Sequence, residues 1–378
     1  MLSLLLLAAG LPAAAQETVR IATYNVSLAR EAPGALVTEL EGTPSDQAIA
    51  VLGVLRTVRP DIVLLNEVDY DEAGRAVRAL QALLAAPTGP GSPLDLPHAF
   101  SGPVNTGVDS GLDLDGDGRL GGPGDAWGYG VFPGQYGMVV LSRWPIERDD
   151  VRSFRLLRWA DLPDALLPED FYGETAPQLR LSSKAHWDVP IVLGDGRRLH
   201  ALASHPTPPV FDGPEDRNGR RNADEIRFWS IYLEGDATLP VDDMGTVGGL
   251  PEDAAAVILG DLNADPADGD GHRAAIGGLL DHPRLQDPRP ASDGAAAAAV
   301  SSGGANADHH GDPRLDTADF RDAPGPGNLR VDYVLPTSGL HVTDSGVFWP
   351  APGEPGAELV AGRRASDHHL VWVDLTLE

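Results

Sequence analysis

An α/β fold, with strands and helices interleaved and strand ends converging on a polar site, is predicted by three observations. Residues 18–69 read strand, helix, strand, and each strand closes on polar side chains, Asn25 after the first and Asn66-Glu67 after the second. A further apolar run, Val257-Ile258-Leu259, turns at Gly260 and ends in Asp261-Leu262-Asn263 before Pro266 forbids continuation. No segment marks a linker long enough to divide the 378 residues, so residues 16–378 are expected to fold as one domain.

Each element follows from its local pattern. Residues 18–26 alternate, with Val19, Ile21, Thr23 and Asn25 on one side and Ala22, Tyr24 and Val26 on the other, which makes a strand that delivers Asn25 to its end. Thr43-Pro44-Ser45-Asp46 opens a helix whose Ile49, Leu52, Leu55 and Val58 recur at helical spacing, and Arg59-Pro60-Asp61 closes it. Ile62–Leu65 is the second strand. An acid such as Glu67 at the end of an apolar strand is costly unless a metal, a cation or water receives it. Residues 71–86 form an Ala/Leu-rich helix, and residues 87–133, rich in Gly, Pro and Asp, form a loop insertion. Within it Asp113, Asp115 and Asp117 stand at positions one, three and five of a calcium loop with Gly118 at six. Position twelve, where Glu belongs, is Gly124, and Asp125 comes one residue late. The run therefore suits a structural Ca²⁺ site or a plain Asp/Gly turn.

Gly137–Ser142 is a strand. Leu179–Leu181 and Ser183–Val189 alternate as strand, and Arg180 and Lys184 share one face, where they could meet a phosphate or make ordinary surface ion pairs. Leu199–Ser204 exits through His205 into Pro206-Thr207-Pro208-Pro209, prolines that hold the exit rigid. A second insertion covers 206–222. Its Arg217, Arg220 and Arg221 are the densest basic cluster, a candidate substrate contact or a solvated ion-pair face, and a helix follows near Ala223–Leu233. A third insertion at 291–325 contains the low-complexity run Ala291–Asn306, read as a mobile surface loop, with His309 and His310 incidental to it. Leu329–Pro336 is a strand whose interior Asp332 needs a partner. Ser366-Asp367-His368 precedes the last strand, Leu370–Leu375.

Composition bounds the function. Apolar residues make up 42%, enough for a globular core. A net charge of −28 repels polyanions at long range, so nucleic acid would be met through cations and local arginines rather than a basic surface. The absence of Cys removes disulfides and thiol catalysis. Residues 1–15 read as a signal peptide: an apolar run from Leu2 to Leu11, too short to span a bilayer permanently, then Ala13-Ala14-Ala15, with Gln16 as the first mature residue. No Lys or Arg precedes that run. A secreted or periplasmic protein is expected, with no transmembrane segment in its mature chain.

The polar residues that terminate or punctuate apolar strands are Asn25, Glu67, His205, Asp261, Asn263, Asp332, Asp367 and His368. Singly each fits a turn or a cap; together they are carboxylates able to share a metal, a pair of amides and two imidazoles. The motifs Ala22-Thr23-Tyr24-Asn25, Leu65-Asn66-Glu67, Gly260-Asp261-Leu262-Asn263, Val331-Asp332-Tyr333-Val334 and Ser366-Asp367-His368, in that order, resemble the endonuclease/exonuclease/phosphatase superfamily. The resemblance spans residues 19–375. It implies a four-layer sandwich, two packed mixed sheets flanked by helices, with the active site where strand ends meet. It also implies Glu67 as principal metal ligand with Asn25 and Asp367 close by, Asp261 and Asn263 around the attacking water and phosphoryl group, His368 oriented by Asp332, and His205 on the phosphate side.

The expected activity is metal-dependent hydrolysis of a phosphoester, with Mg²⁺ or Mn²⁺ as cofactor; for Asp113–Asp117 a structural Ca²⁺ and a plain Asp/Gly turn both stay open. Phosphodiesters, with nucleic acid leading, come before lipid headgroups and small phosphomonoesters, and Arg180, Arg217 and Arg221 are the candidate substrate contacts. A non-catalytic binding protein of the same fold is the alternative from another class, and a calcium-dependent adhesion protein stands behind it. The sequence points to no protein partner.

Overall fold

The computed structural model describes residues 18–235 and 238–376. The leader expected at residues 1–15 lies outside them. In chain order the described strands are β1 (Thr18–Asn25), β2 (Ile62–Asn66), β3 (His98–Phe100), β4 (Met138–Ser142), β5 (Arg152–Ser153), β6 (His186–Val192), β7 (Arg198–Ser204), β8 (Ala256–Asp261), β9 (Ala318–Asp319), β10 (Asn328–Leu329), β11 (Asp332–Pro336), β12 (His341–Val347) and β13 (Val371–Thr376). The helices are α1 (Ala35–Glu41), α2 (Asp46–Val58), α3 (Arg75–Ala85), α4 (Glu169–Tyr172), α5 (Arg217–Glu234), α6 (Arg273–Leu280), α7 (Asp293–Ser302) and α8 (Ala357–Val360).

The strands make two main sheets, ordered β12-β13-β1-β2-β4-β3 and β11-β8-β7-β6-β5, and a β9–β10 ribbon. Period-two alternation sorts their side chains into layers. Val19 and Ile21 of β1, Leu64 of β2 and Val373 of β13 face Trp187, Val189, Ala201 and Val257 of the other sheet. On the reverse face, Ala22, Tyr24, Val63 and Leu65 pack on Val51, Leu55, Leu80 and Leu359 of the helices. The second sheet buries Leu202, Ile258, Tyr333 and Leu335 against Ile226, Trp229 and Ile276. Helix, sheet, sheet, helix is the four-layer sandwich.

The local signals mostly land where the patterns put them. Ser45 caps α2 by accepting from Ala48 N, and its helical stripe buries Leu52, Leu55 and Val58. Three segments differ. The run expected as a mobile loop at 291–306 contains α7, with Ser292 as N-cap and Gly303 after its last turn; alanine is the best helix former, and Ala295 joins the inter-sheet core. Helix α5 begins at Arg217 rather than near Ala223, so the arginine cluster sits in its first turns. Strand β6 begins at His186, so Arg180 and Lys184 do not share a strand face.

Topology then places the site. Strands β1 and β2 run parallel with Asn25 beside Asn66, and β7 and β8 are also parallel. Their carboxyl ends lie at one end of the sandwich. Strands β11 and β13 run antiparallel to β8 and β1, so they begin where those end, and Asp332 lies directly opposite Asp261.

Candidate active site

The site is built around the Asp261 carboxylate at the end of β8, which is 1% exposed. Its Oδ2 accepts from Asn25 Nδ2 at 3.1 Å and lies 3.3 Å from His205 Nε2 and 3.7 Å from His368 Nε2. Its Oδ1 accepts from Asn263 N at 2.9 Å, and Asn263 Nδ2 reaches both Asp261 Oδ2 (3.3 Å) and Pro206 O (3.1 Å). Asn25 Nδ2 also donates to Glu67 Oε1 at 3.2 Å, so one amide bridges two carboxylates from two sheets. Glu67 and Asn263 both sit at positive φ, 62° and 51°, a conformation non-glycine residues rarely adopt and one that concentrates at functional sites.

On the other side, His368 Nδ1 lies 2.9 Å from Asp332 Oδ2, which also accepts from Thr317 Oγ1 at 2.8 Å. Two carboxylates directly opposite across a sheet repel each other, and the imidazole between them resolves the conflict. His368 is accordingly held well above the usual imidazole range: burial alone would lower it, but Asp332 and Asp261 outweigh burial. Burial would also push Asp261 up, yet the charge of His368 and the hydrogen bond and field of His205 hold it well below the carboxylate range. Asp332 is pushed up to about 6 by burial, so the pair is ionised at neutral pH. His205, desolvated and facing Lys184, falls to about 4 and is neutral there, with its Nδ1 unpartnered. Burial raises Glu67.

Sequence reasoning missed several members. Lys184, weighed as a surface ion-pair residue, is 6% exposed; its Nζ donates to Pro206 O at 3.4 Å, and its charge faces Glu225, Glu67 and Asp261. Burial lowers its pKa. It is the only lysine among 28 basic residues, a compositional signal that was there to be read. Glu225 is buried and accepts from Ser183 N (2.6 Å) and Thr207 N (2.7 Å), which ties the rigid exit after His205 to α5. Ser366 Oγ donates to Asn25 O at 2.8 Å and accepts from His368 N at 3.1 Å, joining the first motif to the last.

Other expected residues fall elsewhere. Arg221 bonds Leu181 O, Trp127 O, Arg180 O and Ser182 O, so it braces α5 against the preceding loop and is no free substrate contact. Arg217 is paired with Glu215 and lies over Phe171. Asp367, by contrast, stays beside the site: its charge acts on His368 and Tyr24, and its main-chain O accepts from Asp319 N at 2.7 Å. Asp113, Asp115 and Asp117 do cluster, but Asp125, the late candidate ligand, is buried and spent on Leu114 N and Gly122 N.

The donor set suits a divalent cation. Among the described residues Asp261, Asp332 and His368 bring atoms within 4.8 Å of one another, all buried; with the His368 ring charged, it is the carboxylate oxygens that would meet a cation. Glu67 and Asp261 share one neutral amide, and Asp332 Oδ1 has no hydrogen-bond partner among the described residues. Buried carboxylates so placed call for positive charge.

The endonuclease/exonuclease/phosphatase family model matches residues 22–368, nearly the whole chain. The chain belongs to that family. With the buried acid–histidine cluster, this makes it a metal-dependent hydrolase of phosphoester bonds. Among solved structures it is similar to an endonuclease/exonuclease/phosphatase from Beutenbergia cavernae, with 22% identity and a TM-score of 0.52, covering 95% of this chain and 72% of that one. It is also similar to a family protein from Leptotrichia buccalis, with 14% identity and a TM-score of 0.49, covering 95% and 100%. The human Nocturnin catalytic domain is another similar structure, with 13% identity and a TM-score of 0.48, covering 96% and 95%. No curated protein matches. Among the described residues no helix is long and apolar enough to cross a membrane.

Proposed function

We propose that this family member is an exported phosphodiesterase that uses Mg²⁺ or Mn²⁺, with nucleic acid as its leading substrate class. The observation that carries the reading is the Asp261 carboxylate, ionised in a buried pocket between a charged His368–Asp332 pair and the Asn25–Glu67 bridge. Glu67, with Asn25 and Asp367, would hold the cation. When bound there, the cation supplies charge neutralisation to the phosphoryl oxygens and the departing alkoxide.

The chain's own groups divide the remaining work. Asp261, kept ionised, accepts a hydrogen bond from the attacking water and fixes its lone pair in line. Asn263, whose amide is held by Pro206 O and Asp261, lies at the phosphoryl side as a neutral donor. His368, charged through Asp332, is the donor toward the developing negative charge, and Lys184 adds a buried ammonium beside the same carboxylates. Neutral His205, with its Nε2–H toward Asp261, leaves Nδ1 as an acceptor for a water or a protonated oxygen on the phosphate side. Export is proposed from the leader-like residues 1–15.

The test is hydrolysis by the chain from Gln16 with Mg²⁺, Mn²⁺ or Ca²⁺ and with EDTA, on bis-p-nitrophenyl phosphate, p-nitrophenyl phosphate, plasmid DNA and sphingomyelin. Metal-dependent cleavage of the diester and of DNA is expected. Cleavage of the monoester or the lipid alone moves the assignment to those branches. No turnover with any metal overturns the catalytic reading.

A further inference from the structure

Two arginines beside the site carry charge that the fold leaves unused. Arg155 Nη1 and Arg180 Nη1 donate to one acceptor, the Asn105 Oδ1, at 3.4 and 2.6 Å. Neither guanidinium makes another hydrogen bond or lies in ion-pair distance of a carboxylate among the described residues. Arg119, Arg220, Arg273, Arg289, Arg321 and Arg364 also lack a side-chain partner among the described residues, but all of these except Arg220 are exposed to water, whereas Arg155 and Arg180 are half-buried. Arginines that serve packing here are fully spent, as Arg56 is on the carbonyls of Leu83, Leu84, Ala86, Thr88 and Pro90, and Arg330 on both oxygens of Asp287. The Asp243 carboxylate, whose field reaches Arg180, is itself taken by Ser153 Oγ and Leu156 N.

The pair is also held in place. Asn105 is fully buried, and its Nδ2 donates to Arg155 O and Ser182 O, both at 2.7 Å, which fixes its oxygen toward the guanidiniums. The Arg180 guanidinium lies over the Trp127 ring at 4.7 Å. Holding two like charges beside one neutral oxygen is unfavourable unless an anion completes the set, and the free guanidinium edges match phosphate oxygens. Placement ties the pair to the reaction: Asn105 N donates to Lys184 O at 2.9 Å, so the arginines adjoin the lysine that faces Glu67 and Asp261.

We infer that Arg155 and Arg180, held by Asn105 and Trp127, form a second anion subsite that takes a substrate phosphate other than the one cleaved. Preferred substrates therefore carry at least two phosphates, as a nucleic-acid backbone or a multiply phosphorylated small ester does. The inference rests on the phosphodiesterase reading.

It is tested with Arg155→Gln/Arg180→Gln by comparing kcat/KM for oligothymidylate with that for bis-p-nitrophenyl phosphate, which has one phosphate. The wild-type preference for the oligonucleotide should fall about 10- to 100-fold, the range expected for lost charge-assisted contacts. A ratio that does not move, or equal losses on both substrates, overturns the subsite. Arg155→Gln alone, which spares the Arg180–Trp127 stack, repeats the test if the double variant misfolds. Calorimetry of inorganic phosphate and pyrophosphate in metal-free buffer separates the two sources. A wild-type advantage for pyrophosphate that the variant loses supports a site for any second phosphate, and an effect confined to oligothymidylate supports a backbone site. If wild type turns over no substrate with any metal, the enzymatic reading fails, while tighter pyrophosphate binding by wild type than by the variant still supports the subsite and equal binding overturns it.

Discussion

Two acidic clusters among the described residues suit a cation, and they are built in opposite ways. Asp113, Asp115 and Asp117 come from five consecutive residues, and each is satisfied by backbone of its own loop: Asp113 by Gly116 N and Gly118 N, Asp115 by Asp117 N, Asp117 by Arg119 N. Such a loop is shaped by its own backbone hydrogen bonds. Glu67 follows β2 and is half-buried, while Asp261 of β8 and Asp332 of β11 are buried; all three have side-chain amides or imidazoles for company, and Asp332 Oδ1 has no partner among the described residues. Desolvation makes those charges act strongly on one another and on anything placed between them. A sequence motif marks the first cluster well, yet only the second stores the electrostatic imbalance that chemistry can use.

The contrast is broken most directly at the buried cluster. His368→Ala or Glu67→Gln should reduce kcat roughly 10²- to 10⁴-fold with circular dichroism unchanged; activity within about threefold of wild type would remove either residue from the site. The pH profile follows from the same pair. As pH falls through about 6, Asp332 takes up its proton and releases His368 from its ion pair, so kcat/KM should drop tenfold per pH unit below that point. His368, held high, keeps the alkaline side open past the usual imidazole range. A profile flat from pH 5 to 8 would contradict this.

Lys184→Met should lower kcat/KM about 10- to 100-fold, and Lys184→Arg should not fully restore it, because a planar guanidinium does not fit the volume of a compact ammonium. Asp316 sharpens the comparison as a buried acid outside the site. Burial and the neighbouring Asp265, Asp268 and Asp312 push it up to about 8. Folded, it keeps a proton that the unfolded chain releases near ~3.9, so stability falls as pH rises between those values. Asp316→Asn in EDTA should therefore raise Tm by a few °C at pH 8, at roughly 2–4 °C per kcal/mol, and leave it unchanged near pH 4. The smallest effect belongs to the exposed loop. Asp113→Asn/Asp117→Asn should alter activity less than about twofold, and it should cancel any Ca²⁺-dependent rise in wild-type Tm, which is how occupancy of that loop would be read.

Sequence by itself determined what depends on neighbours along the chain. Alternation at β1 foretold which residues share each face, Ser45 foretold the start of α2, and the ordered strand-end motifs put Glu67, Asp261, Asp332 and His368 in one group that the fold brings together. The Ala291–Asn306 run was legible too, had helix propensity been set above low complexity.

Tertiary structure alone decided what depends on packing between distant segments. It turned Lys184 inward while tying Arg221 to four carbonyls, and it set Arg155 and Arg180 on one amide although neither adjoins Asn105 in sequence. The physical reason is that secondary structure is a matter of short-range sterics and periodicity. The value of a charge is set by the solvent it loses and the partners it gains, and both arrive only when the two sheets close on each other.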